Sequence, residues 1–141
     1  MKTVISHVFV TVDDHEAGLA YFRDVLGFTK TWDLPMGNNG WRWLTVAPGG
    51  PGNPEIVINK ASNQEERDII GRQSAGELTP LLILETSDFQ AQHAAWKARG
   101  VDFQGEPQTA PWGTSVSFRD PWGNLHMLMQ SDPGFTEGKT A

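Results

Sequence analysis

His7-Val8-Phe9-Val10-Thr11-Val12-Asp13-Asp14 returns 74 positions later as Leu81-Leu82-Ile83-Leu84-Glu85-Thr86-Ser87-Asp88. Each stretch is an apolar run that closes on a polar helix-start signal. In the first, His7, Phe9 and Thr11 alternate with Val8, Val10 and Val12, the two-residue period of a strand with two different faces. Asp13 with Glu16, and Ser87 with Gln90, then read as capping boxes at one common offset. Paired caps argue for an internal repeat better than paired apolar residues, which match easily by chance. Behind the first cap, Leu19, Phe22, Val25 and Leu26 recur at helical spacing. Gly27 and Gly100 stand where a helix ends on a left-handed residue.

Three candidate strands follow each helix: Phe28 to Leu34, Trp41 to Ala47 and Glu55 to Lys60, then Val101 to Glu106, Thr114 to Arg119 and Leu125 to Gln130. Turn-forming runs separate them, including Met36-Gly37-Asn38-Asn39-Gly40 and Asp120-Pro121-Trp122-Gly123-Asn124. The order is β-α-β-β-β, twice. The half-repeats span 1–60 and 80–130. A polar connector, 61–79, holds a short helical segment near Glu65 to Ile70, and the tail 131–141 lacks periodicity. One such unit cannot hide both its helix stripe and its sheet. Two can, so the expectation is a single α+β domain, 1–141. Its two half-repeats would form an eight-stranded curved mixed sheet around a central cavity, with the helices outside. Val8, Val10, Val12, Leu82 and Leu84 then lie under helices. His7, Phe9, Thr11, Leu81, Ile83 and Glu85 face the cavity.

Composition narrows the function. With 38% hydrophobic residues, six Trp and seven Phe, the 141-residue chain supports a packed core. A net charge of −6 without a Lys/Arg cluster argues against nucleic acid. Without cysteine, thiolate chemistry and Cys-based metal sites are excluded. No run reaches membrane-spanning length and no leader pattern is evident, so a soluble cytoplasmic protein without a membrane partner is expected. Gly138-Lys139-Thr140 has neither the upstream glycine nor the following helix of a phosphate-binding loop.

What remains is a small-molecule pocket. Met127 and Met129 alternate toward the same face as Leu81 and Ile83 and make an adaptable apolar wall. Trp41, Trp43 and Trp112 fall near the mouth, where aromatic rings suit flat or cationic ligands. Trp122 belongs to a tight turn. His7 and Glu85 are the titratable groups on the inner face, each able to bond a ligand's polar group or to act as a base.

Asp120-Pro121-x-Gly123-Asn124 before the last strand, Phe22-Arg23-Asp24-Val25-Leu26-Gly27-Phe28 and the paired halves together resemble the vicinal oxygen chelate superfamily. That superfamily contains glyoxalase I, extradiol dioxygenases and bleomycin-resistance binding proteins. Arg42-Trp43-Leu44-Thr45-Val46-Ala47-Pro48, Ala98-Arg99-Gly100-Val101-Asp102-Phe103 and Pro111-Trp112-Gly113 resemble an actinobacterial-type subgroup. The likeness runs from about Val4 to Gln130.

In metal-dependent members the resemblance implies four ligand positions, on the first and last strand of each half. Here they hold His7, Leu81, Met127 and either Glu55 or Ile56. Leu and Met cannot serve the hard divalent ions that this chemistry uses. The leading expectation is therefore a metal-independent small-molecule-binding protein that sequesters a toxic compound or metabolite. It would need no cofactor, and its pocket would draw on His7, Phe9, Trp43, Leu81, Ile83, Trp112 and Met127. The resemblance also implies a homodimer. The alternatives are enzymes. One is a glyoxalase I-like lyase or a dioxygenase holding Ni, Zn, Mn or Fe through His7, Glu55 and His126. The other is a metal-free isomerase or lyase with His7 or Glu85 as base.

Overall fold

The computed structural model of the chain describes residues 1–37, 40–50, 53–74 and 78–137. Pro51, Gly52, Asn38, Asn39 and the Gly138-Lys139-Thr140 run lie outside them. The chain falls into two compact units, Met1–Gln73 and Ser74–Ala141.

In the first unit β1 (His7–Val12) pairs in parallel with β4 (Glu55–Lys60). β3 (Arg42–Ala47) and β2 (Thr29–Pro35) complete an antiparallel series in the order β1-β4-β3-β2. Val10, Val12, Leu44, Val46, Ile56 and Ile58 form one face and are almost wholly buried. They pack beneath α1 (His15–Leu19), whose Leu19 is buried with Phe22, Leu26 and Phe28. Each such side chain taken from water contributes about 1.5–3 kcal/mol. Gly18 brings the helix close: a Cβ there would lie 2.5 Å from Ile58 Cγ2. β1 is an edge strand, and Gln73 covers its open side. The Gln73 side chain accepts from Thr11 N–H at 2.7 Å and donates to Phe9 C=O at 2.9 Å, as a neighbouring strand would.

The second unit repeats the plan. β5 (Ile83–Glu85) runs parallel to β9 (Leu125–Ser131), and β8 (Gly113–Arg119) and β6 (Asp102–Phe103) follow in the order β5-β9-β8-β6. β7 (Gln108–Ala110) also pairs with β8. Here α3 (Phe89–Ala98) covers the sheet, with Trp96 edge-on to Phe118 at 5.3 Å.

Several boundaries differ from expectation, each for a local reason. The helix caps are Asp14 and Asp88, not Asp13 and Ser87. Asp14 accepts from Ala17 N–H at 2.9 Å, and Asp88 from Ala91 N–H at 3.1 Å. The corrected pair keeps the spacing of 74 and matches in residue type at both cap and donor. The C-terminal glycines stand only 73 apart, so the first helix carries one more residue. A π-helical segment, Ala20–Val25, absorbs it, and Gly27 and Gly100 still end their helices at φ 80 and 86.

The strand expected over 101–106 shortens to β6, and β7 follows as a further strand beyond Pro107, which offers no N–H to a ladder. Nine strands therefore occur among the described residues, in mixed sheets of four and five, the α+β architecture expected. β5 begins only at Ile83, although Leu81 N–H still reaches Leu125 C=O at 2.7 Å. The connector holds α2 (Gln64–Ile69), capped by Asn63, and the tail opens with α4 (Pro133–Glu137).

Candidate functional site

The helix-distal face of the first sheet gathers most of the expected residues of that half. Strand alternation puts His7, Phe9 and Thr11 on it, and the parallel register sets them beside Glu55, Val57 and Asn59. β3 adds Thr45 and Trp43. His7 Nε2 lies 3.1 Å from Glu55 Oε2, and His7 Nδ1 lies 2.9 Å from Ser6 Oγ. A carboxylate only accepts, so Nε2 carries a proton directed at Glu55, while Nδ1 pairs with the Ser6 hydroxyl. The ring is therefore held at both nitrogens. It also meets Trp43 edge-on, with centroids 5.3 Å apart, and Phe9 meets the same indole at 6.4 Å. Trp41 lies 6.5 Å from Trp43.

This face carries the His7–Glu55 pair at one end and the Asn59–Thr11 hydrogen bond, 3.2 Å, at the other. His7 and Glu55 side chains are 30% and 18% exposed, so neither is freely solvated. Phe9, Trp32, Leu34, Met36 and Trp41 remain exposed on this unit. Thr45 is fully buried and bonds Thr31, hydroxyl to hydroxyl, at 2.6 Å where β2 bulges.

In the second unit Ile83 and Met127 are cross-strand neighbours, as are Glu85 and Met129, all on the face away from α3. Ile83 and Glu85 are exposed, and Met127 is half-buried. Leu81 precedes the strand, and Trp112 sits in the β7–β8 turn, where its carbonyl accepts from Asp132 N–H at 2.8 Å.

His126 lies on the opposite face from Met127. It is buried, 2.7 Å from Asp120 Oδ2, and its Nδ1 has no hydrogen-bond partner among the described residues. Asp120 also accepts from the backbone N–H groups of Trp122, Gly123 and Asn124 and from the Asn124 amide. Five donors thus converge on one buried carboxylate. The Asp-Pro-x-Gly-Asn run is a structural knot, and His126 is part of it.

The strand registers also locate the fourth position that the resemblance implied. Phe9 and Ile83 are 74 apart; Phe9 faces Val57, and Ile83 faces Met127. The first-half counterpart of Met127 is therefore Val57, not Glu55 or Ile56, and Ile56 points into the core. Valine, leucine and methionine thus occupy three of the four positions beside His7. Among the described residues no three His, Asp or Glu side chains are grouped to hold a metal ion. His7 and Glu55 are brought together, but His126 is spent elsewhere. A two-donor set does not fit Ni, Zn, Mn or Fe.

Comparison with known proteins agrees with the fold. The family model of the Glyoxalase/Bleomycin resistance protein/Dioxygenase superfamily matches residues 4–128. An uncharacterized protein of Shewanella frigidimarina (strain NCIMB 400) is 31% identical over 130 residues, covering 92% of this chain and 95% of that one. The crystal structure of TnmS3, an antibiotic binding protein from Streptomyces sp. CB03234, superposes with a TM-score of 0.71. It is 31% identical, over 93% of this chain and 98% of that one. A superfamily member from Sphaerobacter thermophilus DSM 20745 gives a TM-score of 0.74 at 26% identity, over 92% and 98%. Among the described residues no helix is long and apolar enough to cross a membrane.

Proposed function

The chain belongs to the Glyoxalase/Bleomycin resistance protein/Dioxygenase superfamily, and on that premise we propose that it is a metal-independent binding protein for a planar, largely apolar small molecule. One observation carries the reading: the helix-distal face of the first sheet offers aromatic surface beside the part-exposed, oriented His7–Glu55 pair. Phe9 is 46% exposed and Trp32 53%, an apolar exposure that marks a binding surface. Trp43 and Trp41 extend it, and within the second unit Ile83 and Met127 occupy the equivalent strand positions. Binding apolar area returns about 25 cal/mol per Å². The His7–Glu55 pair then fixes orientation, the Glu55 carboxylate accepting from a hydroxyl on the ligand edge. A sequestering role needs affinity alone, and the likeness to an antibiotic binding protein supports that class. Two copies of the chain, covering such faces together, make the working form a homodimer.

The test is titration with planar polycyclic compounds, phenazine and acridine first, followed by tryptophan fluorescence. Trp43→Ala and His7→Ala should each weaken binding by roughly tenfold or more, a loss of about 1.4 kcal/mol. Chelator should leave the wild-type titration unchanged. A full equivalent of tightly held divalent ion, with binding lost to chelator, would sink the metal-free reading.

A second reading rests on the same pair. A histidine held by a carboxylate is a competent general base. Turnover that disappears in Glu55→Gln while binding persists would select an isomerase or lyase. Glu85, the other base considered, stands exposed at the end of β5.

A further inference from the structure

The first unit holds another cavity, at the end of its sheet where α1 begins. It encloses about 390 Å³ and is bounded by His15, Trp41, Lys60 and the Ala61–Ser62 segment. Lys60 belongs to the helix-facing series of β4 and pairs in register with Val12. None of the residues invoked for the first binding face except Trp41 takes part.

The groups around it are unevenly satisfied. Lys60 has no ion pair with a described residue, and the acids nearby are engaged. Glu16 is bound to Arg42 at 2.6 Å, Asp14 caps Ala17, and Glu66 accepts from Ser62 and Asn59. His15 is 8% exposed, yet its ring has no hydrogen-bond partner among the described residues. Burial, with Arg42 and Lys60 adding their positive charge, holds its pKa below the ordinary histidine value, against the opposing pull of Asp14 and Glu16. Near neutral pH the ring is thus a neutral N–H donor. Trp41 leaves 38% of its surface exposed beside it.

The second unit shows what such a place requires. Phe89 is the counterpart of His15, and Gln130 stands in β9 where Lys60 stands in β4. Gln130 Oε1 accepts from Phe89 N–H at 2.8 Å, and its amide donates to Ser87 C=O at 3.0 Å. That half supplies its own acceptor oxygen. The first half puts a cation there, and a cation cannot accept, so Lys60 provides no acceptor oxygen at this position.

We propose that this cavity is a second small-molecule site, selective for an aromatic carboxylate. The carboxylate lies between Lys60 Nζ and the His15 ring, and the aromatic body lies on Trp41. The volume suits a compact ligand, at the lower end of the usual range for pockets, about 300–1,000 Å³. The site shares Trp41 alone with the residues invoked for the His7–Glu55 face.

The experiment is amide and indole NMR of the ¹⁵N-labelled full chain, titrated with sodium benzoate, with benzyl alcohol and inorganic phosphate as controls. Benzoate should shift the Trp41 indole and the Ala61 and Ser62 amides. Lys60→Met should weaken benzoate roughly tenfold while Lys60→Arg retains it, and both controls should bind roughly tenfold more weakly than benzoate. Lys60 is exposed, so its variants keep the test valid even if Trp41→Ala fails to fold. Absence of these shifts up to about 50 mM benzoate, a concentration that would reveal even very weak binding, would overturn the site. So would shifts undiminished in Lys60→Met. Phosphate binding as well as benzoate would overturn the aromatic selectivity.

Discussion

The two halves of this chain agree where the backbone has to be told what to do and disagree almost everywhere else. Asp14 and Asp88 cap alike, Ala17 and Ala91 donate alike, and Gly27 and Gly100 turn out of the helix alike. Each half pairs its first strand in parallel with its last. The side chains on those frames have parted. His7 corresponds in the repeat to Leu81, Glu55 to Leu125, Val57 to Met127, His15 to Phe89 and Lys60 to Gln130. In every one of these pairs except Val57/Met127 the ionisable or imidazole group lies in the first half. The second half has put its own polar chemistry into a buried knot at Asp120. Ionisable side chains thus stand part-exposed on the first sheet, while the second half buries its ion pair.

The knot gives the largest expected effect. Asp120 holds five donors with its side chain out of water. Asp120→Ala would strand buried N–H groups and His126 together, for a loss of about 3–5 kcal/mol. Urea unfolding followed by far-UV circular dichroism measures it. A loss below about 1 kcal/mol, ordinary for one surface substitution, would mean that the knot does not distinguish the halves.

Helix packing gives a smaller contrast. Gly18 sits against Ile58, and its counterpart 74 residues on is Gln92. Gly18→Ala gains helix propensity of up to about 1 kcal/mol but forces a methyl into that contact, an overpacking cost of about 1–3 kcal/mol. A net destabilisation is expected, whereas Gln92→Ala should stay within about 0.5 kcal/mol of wild type. Equal changes at the two sites would show that α1 and α3 approach their sheets in the same way.

Which parts of this were legible in the sequence follows from the range of the forces. Strand faces were, because alternation is set within a few residues: His7, Phe9 and Thr11 lie opposite Val10 and Val12, and His126 lies opposite Met127. The glycine helix ends were legible for the same reason. The caps were misplaced by one residue, since Asp13-Asp14 and Ser87-Asp88 each offer two good capping side chains in succession and Glu16 and Gln90 favoured the wrong one. The Glu55 register was not legible, because a parallel pair has no hairpin to fix it. That register decides both that Glu55 meets His7 and that Val57 matches Met127. Asp120 was read as a turn residue, although its partner His126 is only six positions on. His15 and Lys60 are 45 residues apart and meet only through the β1–β4 pairing.

The smallest effect expected is the pH dependence that His15 confers and Phe89 cannot. Folding buries the His15 ring and sets it near Arg42 and Lys60, which lower its pKa despite Asp14 and Glu16. As pH falls below about 6.5, the ordinary histidine value, the unfolded chain takes up a proton that the folded ring refuses. The unfolded state then binds more protons, so stability declines as pH drops toward the folded value and is complete above the unfolded one. His15→Gln should flatten that decline, measured as urea midpoints from pH 8 down to pH 5. Lys60→Met should flatten it partially, since it removes one of the two cations that oppose the charged ring. Parallel curves for wild type and His15→Gln would show that the first half's imidazole is no more costly to charge in the fold than in the open chain, and the electrostatic difference between the two helix entrances would fall with it.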